Sequence, residues 1–308
     1  MNINDIIIAE NRIKKHIYNT PIIRLKQLDN MLGCKVYIKA ENMQITNSFK
    51  IRGAINKFLI NKDTFRNGVV ATSSGSHGLA VAYSAKLFNI PATIILRDTA
   101  PSYKINLIKK LGAQVITLPF HLRYDKAQEF VKDKGYTYIH PYEDEEIIAG
   151  HGTVALEILN QGDFNKVLIP MGGGGIAAGT AFTIKTLCPN CEVIGCEPSV
   201  ISKFSKSLKE NKPISVNYAK SVADSLLPLS PGVVPFKYIN EYLNFAIPVD
   251  EDNILKAQKI LLEQGKIVSE VSSAIVIGAV LQKPEIFNSN EKVCFVISGG
   301  NIDYKNIY

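Results

Sequence analysis

A lysine, a run of glycines and two serine-bearing turns carry the reactive groups of this chain. Lys50 sits in Asn47-Ser48-Phe49-Lys50-Ile51-Arg52-Gly53-Ala54, after a polar turn and before helix-forming residues. Held still beside an aromatic ring and partly desolvated, its amine is biased toward the neutral form. A neutral lysine amine attacks an aldehyde and forms a Schiff base. On its own, a lysine beside a phenylalanine is usually a surface residue covering an apolar edge. Met171-Gly172-Gly173-Gly174-Gly175-Ile176-Ala177-Ala178-Gly179 changes that reading. It follows the apolar Val167-Leu168-Ile169-Pro170 and opens an apolar helix, so several N–H groups crowd one helix N-terminus. Such an arrangement binds phosphate. Thr72-Ser73-Ser74-Gly75-Ser76-His77-Gly78 sets hydroxyls at another helix N-terminus, suited to a carboxylate, though a plain cap is the simpler use. Ser298-Gly299-Gly300-Asn301 follows an apolar run and offers a hydroxyl at the carboxyl edge of a sheet; alone it reads as a turn.

These groups need a scaffold, and the chain alternates strand-like and helix-like segments throughout. Strands are predicted at 36–39, 69–72, 92–96, 114–117, 166–171, 192–195, 244–249 and 293–297. Helical patterns cover 79–87, 105–111, 124–132, 146–159 and 253–263. Such alternation predicts an α/β fold, a mostly parallel sheet with helices on both faces. The stretch 205–220 is polar and weakly periodic and is expected to cross the surface. No linker separates two independent domains; if there are two lobes, the chain passes between them more than once.

Length and composition narrow the function. The 308 residues suffice for a sizeable core, and 46% hydrophobic with 20% charged residues is ordinary for a globular protein. The net charge of +7 suits phosphates or carboxylates, but no basic cluster or tryptophan argues for nucleic acid. The first apolar stretch, Ile6-Ile7-Ile8-Ala9, is too short for a secretory core. The uncharged run between Lys166 and Lys185 approaches membrane-span length, yet Pro170 and its glycines make it strand, loop and buried helix. Five cysteines point to a reducing, cytoplasmic setting. Cys188-Pro189-Asn190-Cys191 follows a helix and lacks a fourth ligand, so it is expected to be structural.

Residue physics alone leaves a rival. Glu197 ends the next strand about twenty residues past the glycines, where a dinucleotide fold places its ribose carboxylate. A nucleotide-dependent oxidoreductase therefore stays open. The glycines do not keep the full G-x-G-x-x-G spacing, and that reading leaves Lys50 unexplained.

Taken in order, S-F-K-x-R-G-A at Lys50, S-S-G-x-H-G at 73–78, the glycine run and S-G-G-N at 298–301 form a very specific set. His140-Pro141-Tyr142, Ala149-Gly150-His151-Gly152-Thr153 and Cys196-Glu197-Pro198 add to it. The chain resembles the fold-type II pyridoxal-phosphate enzymes, in the threonine/serine dehydratase and serine racemase branch, from Asn19-Thr20-Pro21-Ile22 to Asn301. The resemblance implies a larger cofactor-binding lobe of 1–60 and 143–308, a smaller mobile lobe of 61–142, and a homodimer. It implies that Lys50 holds pyridoxal 5'-phosphate as a Schiff base and then removes the Cα proton of an amino-acid substrate. Phe49 would pack on the pyridine ring, Gly172, Gly173, Gly174 and Gly175 would bind the phosphate, and Ser298 would face the ring nitrogen. A serine there cannot keep that nitrogen protonated as an aspartate would, which favours elimination over transamination. Ser73, Ser74 and His77 would hold the substrate carboxylate. Ser74 also supports a racemase, because many dehydratases have alanine there, and a hydroxyl opposite the lysine permits inversion.

The departures from the family pattern matter equally. Ser76 stands where asparagine usually contacts the cofactor's phenolic oxygen, which also leaves open a cofactor-binding protein with little catalysis. Leu79, Asn47, Ser225 and His151 replace glutamine, glycine, glycine and glutamine. Substrate other than plain threonine or serine is therefore expected, and Arg123 or Tyr124 is a candidate to read its distal group. Racemases of this branch bind a divalent cation through the glutamate at 197 and a carboxylate six positions on. Here that position is Lys203, which would repel a cation, so no metal is expected and the ammonium is a candidate counter-charge to Glu197. Only seven residues follow Asn301 here, so feedback control through a regulatory domain is not expected.

Overall fold

The computed structural model describes residues 1–303. Its strands are β1 (Ile22–Arg24), β2 (Lys35–Lys39), β3 (Val69–Ser73), β4 (Ala92–Arg97), β5 (Gln114–Leu118), β6 (Thr137–Tyr138), β7 (Lys166–Pro170), β8 (Glu192–Pro198), β9 (Phe245–Val249) and β10 (Lys292–Val296). Its first six helices are α1 (Ile3–Ile13), α2 (Asp29–Leu32), α3 (Lys50–Asn61), α4 (Ser76–Leu87), α5 (Ser102–Lys110) and α6 (Arg123–Lys134). The rest are α7 (Glu145–Gln161), α8 (Gly175–Leu187), α9 (Lys203–Glu210), α10 (Val233–Tyr242), α11 (Glu251–Glu263) and α12 (Val271–Gln282).

Two sheets result. The six-stranded one runs β1-β2-β10-β7-β8-β9, and only the β1–β2 pair is antiparallel. The four-stranded one runs β5-β4-β3-β6 and is wholly parallel. Parallel strands buried on both faces need continuous apolar runs, which Val167-Leu168-Ile169 and Val293 to Val296 provide. One face of the large sheet packs Leu168, Ile194 and Phe295 against Ile254 and Ala257 of α11 and Ile275 of α12. The other packs Val167, Ile169 and Val193 against Ala177 and Ala181 of α8 and Ile158 of α7. Each such Ile or Val contributes about 1.5–3 kcal/mol on full burial.

Element positions follow the sequence expectation, with bounds shifted by a few residues. β7 stops at Pro170, which frees Met171 to begin the glycine loop, while β8 runs on to Pro198. Two strands escaped the sequence reading: β1 and β6 have three and two residues, too short to show alternation. The stretch 205–220 does cross the surface, with only Ser207 buried, although its first part is the end of helix α9. The uncharged run at 166–185 is β7, a loop and α8. Among the described residues no helix is long and apolar enough to cross a membrane. Cys191 is buried as a free thiol that burial pushes up to about 12, and Cys188 is half-buried and free.

Candidate active site

β10 and β7 are neighbours, so the segments leaving their carboxyl ends emerge side by side. Ser298 follows one and Gly172 to Gly175 follow the other. The smaller sheet delivers its own pair, because Ser73 on β3 is in register with Leu96 on β4, beside Arg97. These edges face one cleft of about 640 Å³, lined by Phe49, Lys50, Ser73, Ser74, Ser76, His77, Gly172, Gly173, Gly174, Gly175 and Ser298. Every residue that the sequence nominated for catalysis, cofactor or substrate thus lies on it. A second hollow of about 440 Å³, between Ile22, Tyr37, Phe164 and Lys292, shares none of them.

Lys50 is the first residue of α3, and its backbone is pinned from β10's side. Phe49 N–H donates to Ser298 O at 3.0 Å, and Gly300 N–H donates to Asn47 O at 2.8 Å. Asn47 makes the preceding turn at φ 53, which asparagine tolerates better than most residues. Lys50 Nζ donates to Pro141 O at 3.1 Å and lies 4.8 Å from the centroid of the Phe49 ring. Among the described residues no carboxylate pairs with it. Burial alone pushes its pKa from 10.5 down to about 8, because the ammonium loses water without gaining an anion. Three imidazoles nearby are held neutral, chiefly by burial and then by the Lys50 charge: His77 at about 3, His140 at about 4, and His151 well below the ordinary range.

The helix under Lys50 is anchored by a buried charge network that the sequence did not reveal. Arg52 donates to Glu41 through Nε and Nη2, both at 2.7 Å, and to Glu157 through Nη1 and Nη2, both at 2.8 Å. Lys39 Nζ adds a bond to Glu157 at 2.6 Å, and Thr20 donates to Glu41. Two cations and two anions, from four segments, balance in the interior.

The glycine loop is shaped by what surrounds it. A Cβ on Gly173 would stand 2.2 Å from Tyr142 Cε1, and Gly174 holds φ +101. Among the described residues the N–H groups of Gly172, Gly173 and Gly174 find no acceptor, so they stay available at the N-terminus of α8. Ser298 Oγ sits 2.9 Å from Ser273 Oγ, and Ser273 also accepts from Gly299 N–H.

Ser73 and His77 also make contacts of their own. Ser73 Oγ accepts from Gly75 N–H at 2.8 Å and from Gly78 N–H at 2.9 Å. Its oxygen thus caps α4, as the simpler reading of that turn allowed, and its O–H stays free to donate to a carboxylate. His77 Nε2 donates to Ile139 O at 3.0 Å, which leaves only its other ring nitrogen for a ligand. Ser74 has no hydrogen-bond partner among the described residues. Glu197 does not face the cleft. It is fully buried and accepts from Phe204 N–H, Ser205 N–H and Ser205 Oγ at the start of α9. A ribose cannot reach it, which removes the basis of the dinucleotide alternative.

Glu270 was missed. It lines the cleft, accepts from Ser76 Oγ at 3.0 Å, Ser225 Oγ at 3.3 Å and Asn301 N–H at 3.1 Å, and burial pushes its pKa up. A lone glutamate before an apolar helix carries no sequence signal of this kind. Arg123 donates to Ser73 O at 2.7 Å while its buried Nε lacks a partner, and Arg97 stands on the same wall, 3.8 Å from Asp224.

A family model described as pyridoxal-phosphate dependent enzyme matches residues 13–299 of the chain. The chain belongs to this family. The chain is 36% identical over 311 residues to an L-threonine ammonia-lyase of Thermotoga maritima, covering 100% of this chain and 77% of that one. It is 34% identical to an L-threo-3-hydroxyaspartate ammonia-lyase of Saccharomyces cerevisiae, covering 98% and 93%. A crystal structure of serine racemase from Dictyostelium discoideum superposes with a TM-score of 0.89 at 34% identity, covering 98% of this chain and 99% of that one. Members of this family depend on pyridoxal phosphate, and the fold is the fold-type II arrangement that the motifs implied.

Proposed function

We propose that this pyridoxal-phosphate dependent enzyme is an ammonia-lyase that removes water from a β-hydroxy amino acid. The substrate loses its Cα proton and its β-hydroxyl, and the released enamine hydrolyses to a 2-oxo acid and ammonia. One observation carries the reading: the Lys50 amine, the four-glycine loop and the Ser298 hydroxyl open onto one cleft.

The residues fit the cofactor. The unpaired N–H groups of Gly172, Gly173 and Gly174 suit its phosphate, Phe49 and Ser298 suit its ring, and Lys50 supplies an amine already biased toward neutrality. Pyridoxal phosphate, when bound, supplies an electron sink for the charge left at Cα. Lys50 takes the Cα proton, since an amine with a pKa of about 8 is both partly neutral at pH 7 and basic enough to accept it. Ser73 and Ser74 orient the substrate carboxylate through their O–H groups, Ser73 also capping α4, while neutral His77, whose Nε2–H goes to Ile139 O, keeps only a lone-pair nitrogen toward the cleft. Ser298 would offer the ring nitrogen a neutral hydroxyl, which does not favour its protonation. Ser76 is held at the cleft by its bond to Glu270.

Arg97 and Arg123 on the cleft wall support an acidic member of the substrate class, and the yeast relative is named for one. A racemase is the second reading, supported by the unpartnered Ser74 hydroxyl and the Dictyostelium neighbour. Assaying serine, threonine, 3-hydroxyaspartate and phenylserine for 2-oxo acid, with chiral analysis alongside, separates the two. Absence of a near-visible cofactor band that borohydride fixes on Lys50 would defeat both. We also propose lobes of 1–60 with 143–308 and of 61–142, the second mobile. The four-stranded sheet, which takes strands only from 69 to 138, supports that division. A cytoplasmic homodimer completes the reading, supported by the free thiols and the family resemblance.

A further inference from the structure

The divalent cation implied by the racemase resemblance does not fit this chain. Glu197, one of its expected ligands, already accepts three hydrogen bonds from the first residues of α9. The second expected ligand position is Lys203, fully buried, with Nζ donating to Leu226 O at 3.1 Å and lying 3.5 Å from Met171 O. Among the described residues no group of three or more His, Cys, Asp or Glu side chains gathers as a metal site. Lys203 serves Glu197 as the expected counter-charge. Their charges interact through the interior, but no bond joins them, and the ammonium is spent on backbone carbonyls.

Those carbonyls are informative. Met171 immediately precedes the glycine loop, and Leu226 ends the short turn Asp224–Leu226 that carries Ser225 along the cleft. The next residue, Phe204, places its ring under Gly174, where an added Cβ would stand 3.1 Å from Phe204 Cζ. One helix start therefore supports the loop by packing and ties it to the 224–226 turn by charge. We propose that Lys203 is a tethered internal cation that takes over the positioning role of a bound metal, locking the glycine loop to the turn beside it. Burial lowers the Lys203 pKa to about 8, and the Glu197 charge opposes that fall, so the ammonium form prevails at pH 7. An oxygen cage of two carbonyls with a carboxylate nearby is the donor chemistry of a hard cation, and here the chain fills it with its own amine. The inference rests on the phosphate role proposed above for the glycine loop.

The test is a pyridoxal phosphate titration of the cofactor-free full chain, read by absorbance and by thermal shift. In the unaltered protein, EDTA or added Mg²⁺ should change the dissociation constant by less than about twofold. Lys203→Met should weaken binding at least about tenfold, and Lys203→Arg should weaken it less. Lys203→Ala should regain affinity with ethylammonium and not with the neutral analogue ethanol. A chelator that weakens the unaltered protein, with Mg²⁺ restoring it, overturns the proposal. So does Lys203→Met binding as tightly as the unaltered chain. If Lys203→Met does not fold, Lys203→Ala refolded with ethylammonium decides: recovery that ethanol matches overturns the tethered-cation role, and recovery specific to the cation supports it. Failure of the unaltered protein to bind pyridoxal phosphate sinks the functional reading instead, so the two failures are distinguishable.

Discussion

The reactivity of Lys50 can be measured without any cofactor. The perturbation is pH, and the probe is a small electrophile that acylates only neutral amines. With an ordinary pKa of 10.5, roughly 3 in 10,000 lysine amines are neutral at pH 7. At the Lys50 value of about 8 the neutral fraction is roughly one in ten, about 300-fold more. The shift corresponds to about 3 kcal/mol of unfavourable charge burial, with no carboxylate to offset it. Lys50 in the cofactor-free protein should therefore label with a rate that rises tenfold per pH unit up to about 8 and then levels. Quantifying the Lys50 peptide by mass spectrometry gives the profile for this residue alone. Site resolution matters because Lys203 also sits at about 8, sealed from the cleft, and a bulk titration would merge the two. The same charge burial has a stability consequence. Between about 8 and 10.5 the unfolded chain holds a proton at this lysine that the folded chain has released, so stability rises with pH across that window. A Lys50 labelling rate that keeps climbing to pH 10 without a plateau would refute the desolvation argument.

Three other outcomes follow from the geometry. Gly173→Ala should weaken pyridoxal phosphate binding at least about tenfold in a fluorescence titration, because its Cβ would stand 2.2 Å from Tyr142 Cε1 and displace either the ring or the loop. Arg52→Met should lower unfolding free energy by about 3–5 kcal/mol in urea melts, since it strands Glu41 as a buried anion and leaves Glu157 only Lys39. Ser74→Ala should reduce inversion, measured by chiral chromatography, more than 2-oxo acid release; equal loss of both counts against a second acid–base group at that position.

What the sequence exposed and what it hid divide along sequence distance. Lys50, the glycine run and Ser298 are visible because each is a local pattern: a turn into a helix start at the first two, a strand end and a turn at the third. The same locality left Ser73 ambiguous, because a hydroxyl at a helix start suits a ligand and its own helix equally; its oxygen accepts from Gly75 and Gly78 while its proton stays free. The Arg52 network was hidden because Lys39, Glu41, Arg52 and Glu157 lie on separate elements, and nothing in the spacing of 41, 52 and 157 marks a buried cluster. Glu197 shows the converse failure. Its position after a strand matches a ribose-binding pattern, yet its side chain turns into the start of α9, a tertiary contact that spacing does not mark.

Glu270 links two of the departures from the family pattern, Ser76 and Ser225. Ser76 and Ser225 lie 149 positions apart, yet their hydroxyls reach the two oxygens of one carboxylate, Oε1 at 3.0 Å and Oε2 at 3.3 Å. Asn301 N–H reaches the first oxygen as well, and its side-chain amide donates to Ser76 Oγ at 3.1 Å. A buried carboxylate needs donors to stay satisfied, and a longer side chain at either serine would have to displace it or be displaced. A glycine at 225 would leave Oε2 without its hydroxyl donor, and an asparagine at 76 would crowd Oε1. The two substitutions thus answer one constraint, the seating of Glu270 beside Gly299, whose own Cβ would fall 2.9 Å from Oε1. In this chain one wall of the cleft is organised around a carboxyl group that burial pushes toward its neutral, proton-donating form. A protonated Glu270 can donate where an ionised one only accepts, so the short hydroxyls at 76 and 225, which do either, suit it in both states.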